Sequence, residues 1–315
     1  MKTNLTLLLV LFALFLVSCR KDDKIEDPEL NSNFVQHNAD RNFLHDEADQ
    51  ADGDINEALK DIPGFGKTAG VTSVGPLCGV TIEDSLLSQK ILFFNFDGVT
   101  PCFSPSRTRS GQIKVELTEG NSWSDLNAEL TLTYINFKVT RLSDSKWIMF
   151  NGQKIITNLN GHDWISFFSN PNFKHEYKAR AFGVNVTFNN GASALWNGAR
   201  KTSWSYAPPS AGGPKYNFTS IGDTSLNGYS NVDMWGVNRF GESFTTYYDA
   251  AWQSNSYCGF WRPTAGVINH DVGSRQYKIE LGVDQSGNPS TLNCAYGYKV
   301  TWIMNGNSIS RVFSY

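Results

Sequence analysis

Polar and apolar residues alternate along most of the chain from residue 76 to residue 315. The clearest alternation covers residues 112–118 and ends at Glu119-Gly120-Asn121, which favour a turn. Alternation with a period of two predicts strands with one buried face. We predict further strands at residues 129–139, 147–157, 177–188, 193–196, 202–206, 216–221, 231–237, 243–249, 276–281, 298–304 and 308–313.

Many of these segments are followed by an Asn-Gly pair, which suits the positive φ angles of tight hairpin turns. Consecutive strands are therefore expected to pair, which predicts an all-β antiparallel meander, folded into a sandwich or a rolled sheet. The pairs are Asn151-Gly152, Asn160-Gly161, Asn190-Gly191, Asn197-Gly198, Asn227-Gly228 and Asn305-Gly306.

A different period appears between residues 40 and 62. Apolar residues recur there every three or four positions, which predicts an acidic amphipathic helix beginning at Asn38 or Asp40 and ending before Pro63-Gly64. We expect the acidic face of this helix to be solvated. Asp52-Gly53-Asp54 resembles the start of a calcium-binding loop, but such a loop needs glycine where Glu57 stands and an acid where Pro63 stands. The apolar positions are Leu44, Ala48, Ala51, Ile55, Leu59 and Ile62.

The first 18 residues have the order of a secretory signal: Lys2, an apolar run over residues 5–17, and the small residue Ser18. Leu16-Val17-Ser18-Cys19 resembles a bacterial lipobox, which implies lipidation, including palmitate, at Cys19. The domains expected are a signal peptide at 1–18, an anchor with a flexible linker and the short helix at 19–75, and a β-rich domain at 76–315, with two similar halves as an alternative.

A charged segment, Arg20 to Lys24, follows the anchor. It is similar to the acidic export tag of Bacteroidetes lipoproteins that face the cell exterior, although a solvated spacer would have the same composition. The expected location is the outer membrane, with the domain facing outward.

Four further cysteines, Cys78, Cys102, Cys258 and Cys294, are expected to form disulfides in an exported protein. Three pairings are open. We favour Cys78–Cys102 and Cys258–Cys294, because each pair brackets a similar unit in which Lys-Ile leads to Asp and Gly before the second cysteine.

Several short motifs together resemble a family of uncharacterised Bacteroidetes lipoproteins. They are residues 94–98, Cys102, residues 107–113, residues 152–158, residues 263–266, residues 277–279 and Cys294. The resemblance covers roughly residues 76–306 and implies a location and a fold, but no activity.

The net charge and a pair of arginines restrict the classes of ligand that the protein could bind. The 27 Lys and Arg against 30 Asp and Glu give a net charge of −3, which argues against nucleic acid as a partner. Arg107 and Arg109 would lie on one face of a strand and could bind an anion, or pair with acids such as Asp97 or Glu116.

The nine tryptophans could stack on sugars or anchor a partner protein. Trp164, Trp235, Trp252 and Trp261 are the candidates, because their neighbours are typical of loops.

The five histidines match no metal or nucleophile motif, so no catalytic residue, metal or cofactor is assigned. The expected function is a membrane-anchored binding or structural module whose partner is a glycan or an envelope protein. A glycan hydrolase with a carboxylate pair is the alternative. Its acids could come from Glu116, Glu119, Asp125, Glu129, Asp163, Asp223 and Asp233.

Overall fold

The computed structural model describes residues 28–59, 62, 65, 78–102, 107–161, 170, 172–210, 213–304 and 306–315. The signal peptide, Cys19 and Trp164 lie outside these residues. Within these residues the elements are one long helix, α1 (Pro28–Leu59), a short 3-10 turn (Leu87–Gln89), and the strands β1 (Val80–Glu83), β2 (Ile91–Asp97), β3 (Arg107–Glu119), β4 (Ala128–Arg141), β5 (Trp147–Asn158), β6 (Lys174–Phe188), β7 (Ser193–Ser210), β8 (Gly213–Gly222), β9 (Thr224–Leu226), β10 (Tyr229–Val237), β11 (Ser243–Asn255), β12 (Ala265–Val272), β13 (Arg275–Val283), β14 (Gly297–Met304) and β15 (Asn307–Ser314).

The strands form one 15-stranded antiparallel sheet. From β1 to β7 and from β10 to β15 each strand pairs with the next in the chain, which confirms the predicted all-β meander. The order departs from a meander only where β8 and β10 fill one position end to end, since each pairs with both β7 and β11. Both predicted segments 193–196 and 202–206 belong to the single strand β7.

Two of the Asn-Gly pairs predicted as turns lie inside strands instead. Bulges in β4 and β6 leave the amides of Asn136 and Gly183 outside the regular ladder. Asn151 in β5 accepts a hydrogen bond from the Asn136 N–H (2.8 Å), and Asn197 in β7 accepts one from the Gly183 N–H (2.8 Å). These asparagines therefore satisfy the amides that the neighbouring bulges expose, which explains why they occur in mid-strand. The pairs at 190–191 and 227–228 do lie in the turns between consecutive strands.

Both predicted disulfides are present. Cys78 and Cys102 have Cα atoms 5.7 Å apart and enclose the β1–β2 hairpin. Cys258 and Cys294 have Cα atoms 5.3 Å apart and enclose the β12–β13 hairpin. Each bridge thus closes a loop around one pair of adjacent antiparallel strands.

The helix begins at Pro28, well before the predicted start at Asn38 or Asp40. Proline is favoured in the first helical turn because its fixed φ angle suits a helix and its missing N–H needs no partner there.

The chain divides into two compact units, with the boundary between Phe43 and Leu44. In the first unit, Gln36 donates a hydrogen bond to Asp40 one turn later (2.7 Å). Within the described residues, no helix combines the length and apolarity needed to cross a membrane.

The second unit, Leu44–Tyr315, contains the sheet together with the second half of α1, which lies in the predicted anchor and linker segment 19–75. The predicted apolar stripe of this half is buried, as expected from its spacing. Its residues are Leu44, Ala48, Ala51, Ile55 and Leu59, and Ile62 just beyond the helix is buried as well.

Candidate ligand-binding site

One flank of the apolar stripe carries acids that pair with β3. Glu47 contacts Arg107, and Asp54 contacts Arg109. Glu47 is buried, so the prediction of a solvated acidic face is wrong here: the acids meet cations that the sheet supplies. Burial raises the pKa of Glu47, although the two arginines partly offset this. Arg107 and Arg109, predicted as ligand-binding or cross-strand partners, therefore fix the helix to the sheet.

The acids expected as partners of these arginines bind elsewhere. Asp97 accepts hydrogen bonds from the backbone N–H groups of Val99 and Thr100, at 2.8 and 2.9 Å, and shapes the turn after β2. Glu116 pairs with Lys114 on the same strand at 2.7 Å. Side chains two residues apart on a strand share a face, which brings this second pair together.

The opposite flank of the stripe pairs with β5 and β7. Asp52 contacts Lys154 of β5, and both side chains are largely buried. Asp49 lies 3.4 Å from Arg200 of β7, which also binds Asp233 through two hydrogen bonds of 2.7 and 2.9 Å. On this flank Asp52 is thus part of the interior of the unit, whereas the Asp49 side chain stays 53 % exposed.

These pairs show that the sheet curves around the helix. Residues 47 and 49 are about 200° apart around a helix, yet they contact β3 and β7 respectively. Four steps of roughly 4.8 Å would place these strands about 19 Å apart in a flat sheet, whereas a helix with its side chains is only about 10–12 Å wide. The bulges in β4 and β6 lie between the two contacted strands and supply local bending.

A cavity of about 470 Å³ lies between the helix and the strands β6, β7, β8 and β11; we call it the helix–sheet cavity. The helix lines it with residues spaced three or four apart, so that they share one face. Those residues are His45, Asp46, Asp49, Asp52, Gly53 and Asn56, and the sheet adds Tyr177, Ala179, Arg200, Thr202, Trp204, Phe218, Ser220 and Trp252.

Aromatic rings form one wall of this cavity. The ring of Trp204 lies 4.8 Å from that of Phe218 and 5.0 Å from that of Phe260, between centroids, the second contact being edge-on at 70°. Phe260 belongs to the turn after β11, close to the disulfide at Cys258. This turn therefore supports the aromatic wall from outside the cavity.

Among the residues that the structure describes, the buried polar atoms at the cavity without a hydrogen-bond partner include Asp52 Oδ1, Ser220 Oγ and Trp252 Nε1. The whole of Ser220 is 3 % exposed and the whole of Asp52 is 8 % exposed. A buried polar group without a partner costs on the order of 1–3 kcal/mol. These atoms are consequently positioned to bind a polar ligand or water.

The carboxyl groups at the cavity differ in acidity. Burial raises the pKa of Asp52 to about 6, and the charge of Lys154 only partly offsets this. Burial and repulsion from Asp49 raise the pKa of Asp46. Desolvation would also raise the pKa of Asp49, but the charges of His45, Arg200 and Lys154 outweigh it and the net pKa is lowered.

The structure places the predicted tryptophans in different environments. Trp252 lines the helix–sheet cavity. Trp261 lies in a turn and is 69 % exposed, with the Arg262 guanidinium 5.4 Å from its ring centroid. Trp235 is half-buried beside the fully buried Met234, so it points to the opposite face of β10. Only one of these three rings therefore reaches the cavity.

No protein family, curated protein or solved structure was found to match the chain. The resemblance to Bacteroidetes lipoproteins thus stays a prediction from short motifs. Within the described ranges, no group of His, Cys, Asp and Glu has the arrangement of a metal site.

The carboxylates that the sequence offered for a hydrolase are mostly held by other groups. Asp233 pairs with Arg200, Asp223 with Lys178 and Arg180, and Glu129 accepts a hydrogen bond from Thr157. The acids at the cavity come instead from the helix, at positions 46, 49 and 52. Their spacing of three residues was visible in the sequence, but nothing local showed that this face would be enclosed by a sheet.

Proposed function

We propose that this is a lipid-anchored envelope protein that binds a small ligand in the helix–sheet cavity without transforming it. The observation that carries the proposal is the cavity itself, with aromatic rings on the sheet side and buried polar atoms without hydrogen-bond partners on both the helix and the sheet. Sites for small molecules typically occupy roughly 300–1,000 Å³ and combine apolar walls with a few directed polar groups. The helix–sheet cavity, at about 470 Å³, fits that description.

Gly53 offers a way to test binding without damaging the fold. It lies inside the helix at the cavity, and outside its chain neighbours and the helix's own backbone no atom lies within 4 Å of the position that its Cβ would take. Leucine is a good helix former, so Gly53→Leu should keep the helix while filling part of the cavity. Gly53→Ala is the matched control, since it removes the glycine but adds only one carbon.

We would purify the protein and these variants natively and screen a small-molecule and glycan library by intrinsic tryptophan fluorescence and native mass spectrometry. A ligand that binds the wild type and Gly53→Ala but not Gly53→Leu supports the proposal. If ligands bind equally to all three proteins, the helix–sheet cavity is not the binding site.

The anchoring part of the proposal rests on the lipobox-like residues 16–19. Cells grown with an alkyne-labelled palmitate should incorporate the label into the wild type and lose it in Cys19→Ser. External protease should degrade the wild-type protein on intact cells if the domain faces outward. Labelled Cys19→Ser would contradict lipidation at that position, and protection from protease would place the domain inside.

Catalysis is the second candidate, because Asp49 and Asp52 have pKa values displaced in opposite directions. Such a difference suits a general acid and a base or nucleophile in one site. Mass spectrometry of the ligands after incubation distinguishes the two functions. Cleaved products that disappear in Asp49→Asn would replace binding by hydrolysis.

A further inference from the structure

We propose that the ligand of the helix–sheet cavity is a cationic amino sugar. This inference rests on the proposed function and adds the chemical class of the ligand. Its ammonium group would lie among the helix carboxylates, and its ring would lie against the aromatic wall.

The charges around the cavity leave room for one more cation. Lys154 is engaged by Asp52, and Arg200 is engaged by Asp233 and by Asp49. Asp46 lines the cavity and has no ion-pair partner among the residues that the structure describes. His45, 3.2 Å from Asp49, adds positive charge only when it is protonated. Carboxylates therefore exceed permanent cations here, which favours a cation over a neutral or anionic ligand.

The polar atoms without partners restrict the ligand further. Asp52 Oδ1 is an acceptor and needs a donor such as an ammonium N–H. Trp252 Nε1 can only donate, so it needs an oxygen on the ligand, and Ser220 Oγ can bond to a hydroxyl group. A quaternary ammonium ion has no N–H for the aspartate, and an apolar amine has no oxygen for the tryptophan.

The aromatic wall agrees with a sugar ring. Trp204, Phe218 and Trp252 line the side of the cavity opposite the helix acids. Aromatic faces offer a broad apolar surface next to polar groups. The C–H face of a sugar can lie against such a surface while its hydroxyl and amino groups hydrogen-bond around the edge.

The acidity of the cavity supports the same ligand class. Burial raises the pKa of Asp52 to about 6 and also raises that of Asp46. An ammonium group nearby would lower both pKa values and displace protons. Binding should consequently weaken as the pH falls from 6.5 to 5.

The test compares three disaccharides of similar shape: the chitosan disaccharide, which is cationic, and its N-acetylated form and cellobiose, which are neutral. We would measure their binding to the full protein by calorimetry and tryptophan fluorescence at pH 6.5. We expect the cationic sugar to bind at least about tenfold more tightly than either neutral sugar. Asp46→Asn should weaken its binding severalfold, while Glu119→Gln, at an exposed residue that does not line the cavity, should not.

Equal binding of the three sugars would overturn the proposal, as would an unchanged affinity in Asp46→Asn. Failure of all three sugars to bind would also overturn the amino-sugar assignment. In either case the library screen with Gly53→Leu still decides separately whether the cavity binds any ligand. A thermal unfolding profile of each variant checks that a lost affinity does not come from a lost fold.

Discussion

Lys154→Met tests the packing of the helix against the sheet most directly. Lys154 projects from β5 into the interior, where it is 5 % exposed and contacts Asp52 on the helix. Methionine has a similar length and suits neighbours such as Ile156 and the paired residues Leu132 and Ala181. The change therefore removes one charge with little change in volume.

The expected loss depends on pH. At pH 8, Asp52 would be a buried carboxylate without its cation, and removing one partner of a buried pair costs about 3–5 kcal/mol. At pH 5, Asp52 is mostly protonated in the folded wild type, because its pKa is about 6. Removing the positive charge of Lys154 raises the pKa of Asp52 further, so Asp52 stays protonated in the variant. The loss then falls to that of one hydrogen bond, about 1 kcal/mol.

The sign of this dependence follows from the direction of the pKa shift. An acid with a raised folded-state pKa loses stability as the pH rises from its unfolded pKa to its folded pKa, because only the unfolded chain gives up the proton in that range. The contribution of Asp52 to the free energy of unfolding is therefore fully present below pH 3.8, declines from there and is lost once the pH has risen through about 6. Without Lys154 the folded pKa rises further, so this decline should continue to a higher pH.

We would follow urea denaturation by tryptophan fluorescence at pH 5 and pH 8. The control is Lys114→Met, since Lys114 pairs with Glu116 while keeping 29 % of its side chain exposed, and such pairs contribute under about 1 kcal/mol. The double variant Asp52→Asn with Lys154→Met should recover most of the loss at pH 8, because no buried charge remains. Equal losses at both pH values, or a double variant as unstable as Lys154→Met alone, would refute this account of the pair.

Three further outcomes are expected. Gly53→Ala should raise the free energy of unfolding by about 0.5–1 kcal/mol, since alanine favours a helix and its Cβ meets no atom within 4 Å; a lower melting temperature would show that this position is packed. Gly236→Ala should prevent normal folding, because its Cβ would lie 1.9 Å from the backbone oxygen of Leu195, and native expression and melting would contradict the close pairing of β10 and β7. Reducing the disulfides, which close loops of 24 and 36 residues, should cost about 3–4 kcal/mol each, and identical melting of reduced and oxidised protein would argue against it.

The strands were predictable where the sheet has one buried and one exposed face. In β3, Ile113, Val115 and Leu117 are buried and alternate with polar residues, and the sequence therefore predicts the strand directly. β12 was missed because its buried residues are not all apolar: His270, on the same face as Ile268, bonds to Thr246 at 2.7 Å, and Asn269 on the opposite face is buried as well. The alternation of polar and apolar residues does not reveal a strand whose buried positions are polar.

The site was less predictable than the fold because its parts are far apart in the chain. Asp52 and Lys154 are separated by 102 residues, and no local spacing links them. The helix acids were assigned to solvent because an isolated acidic helix would expose them. Only the curved sheet, with cations on its inner face at both flanks, reverses that expectation, and it does so for Glu47 and Asp52.

The curvature of the sheet, the ion pairs at the helix flanks and the helix–sheet cavity all follow from the way the sheet packs around the helix. A sheet that bends around a single helix places some inward residues too far from the apolar stripe to be covered by it, and long cations such as Lys154 and Arg200 can span that distance to acids on the flanks. Between these contacts, on the side facing β8 and β11, the small residues Gly53 and Ala179 do not fill the gap. The space that remains is therefore bordered by carboxylates on the helix side and by rings on the sheet side. The same packing that fixes the helix thus determines which chemistry the cavity can accept.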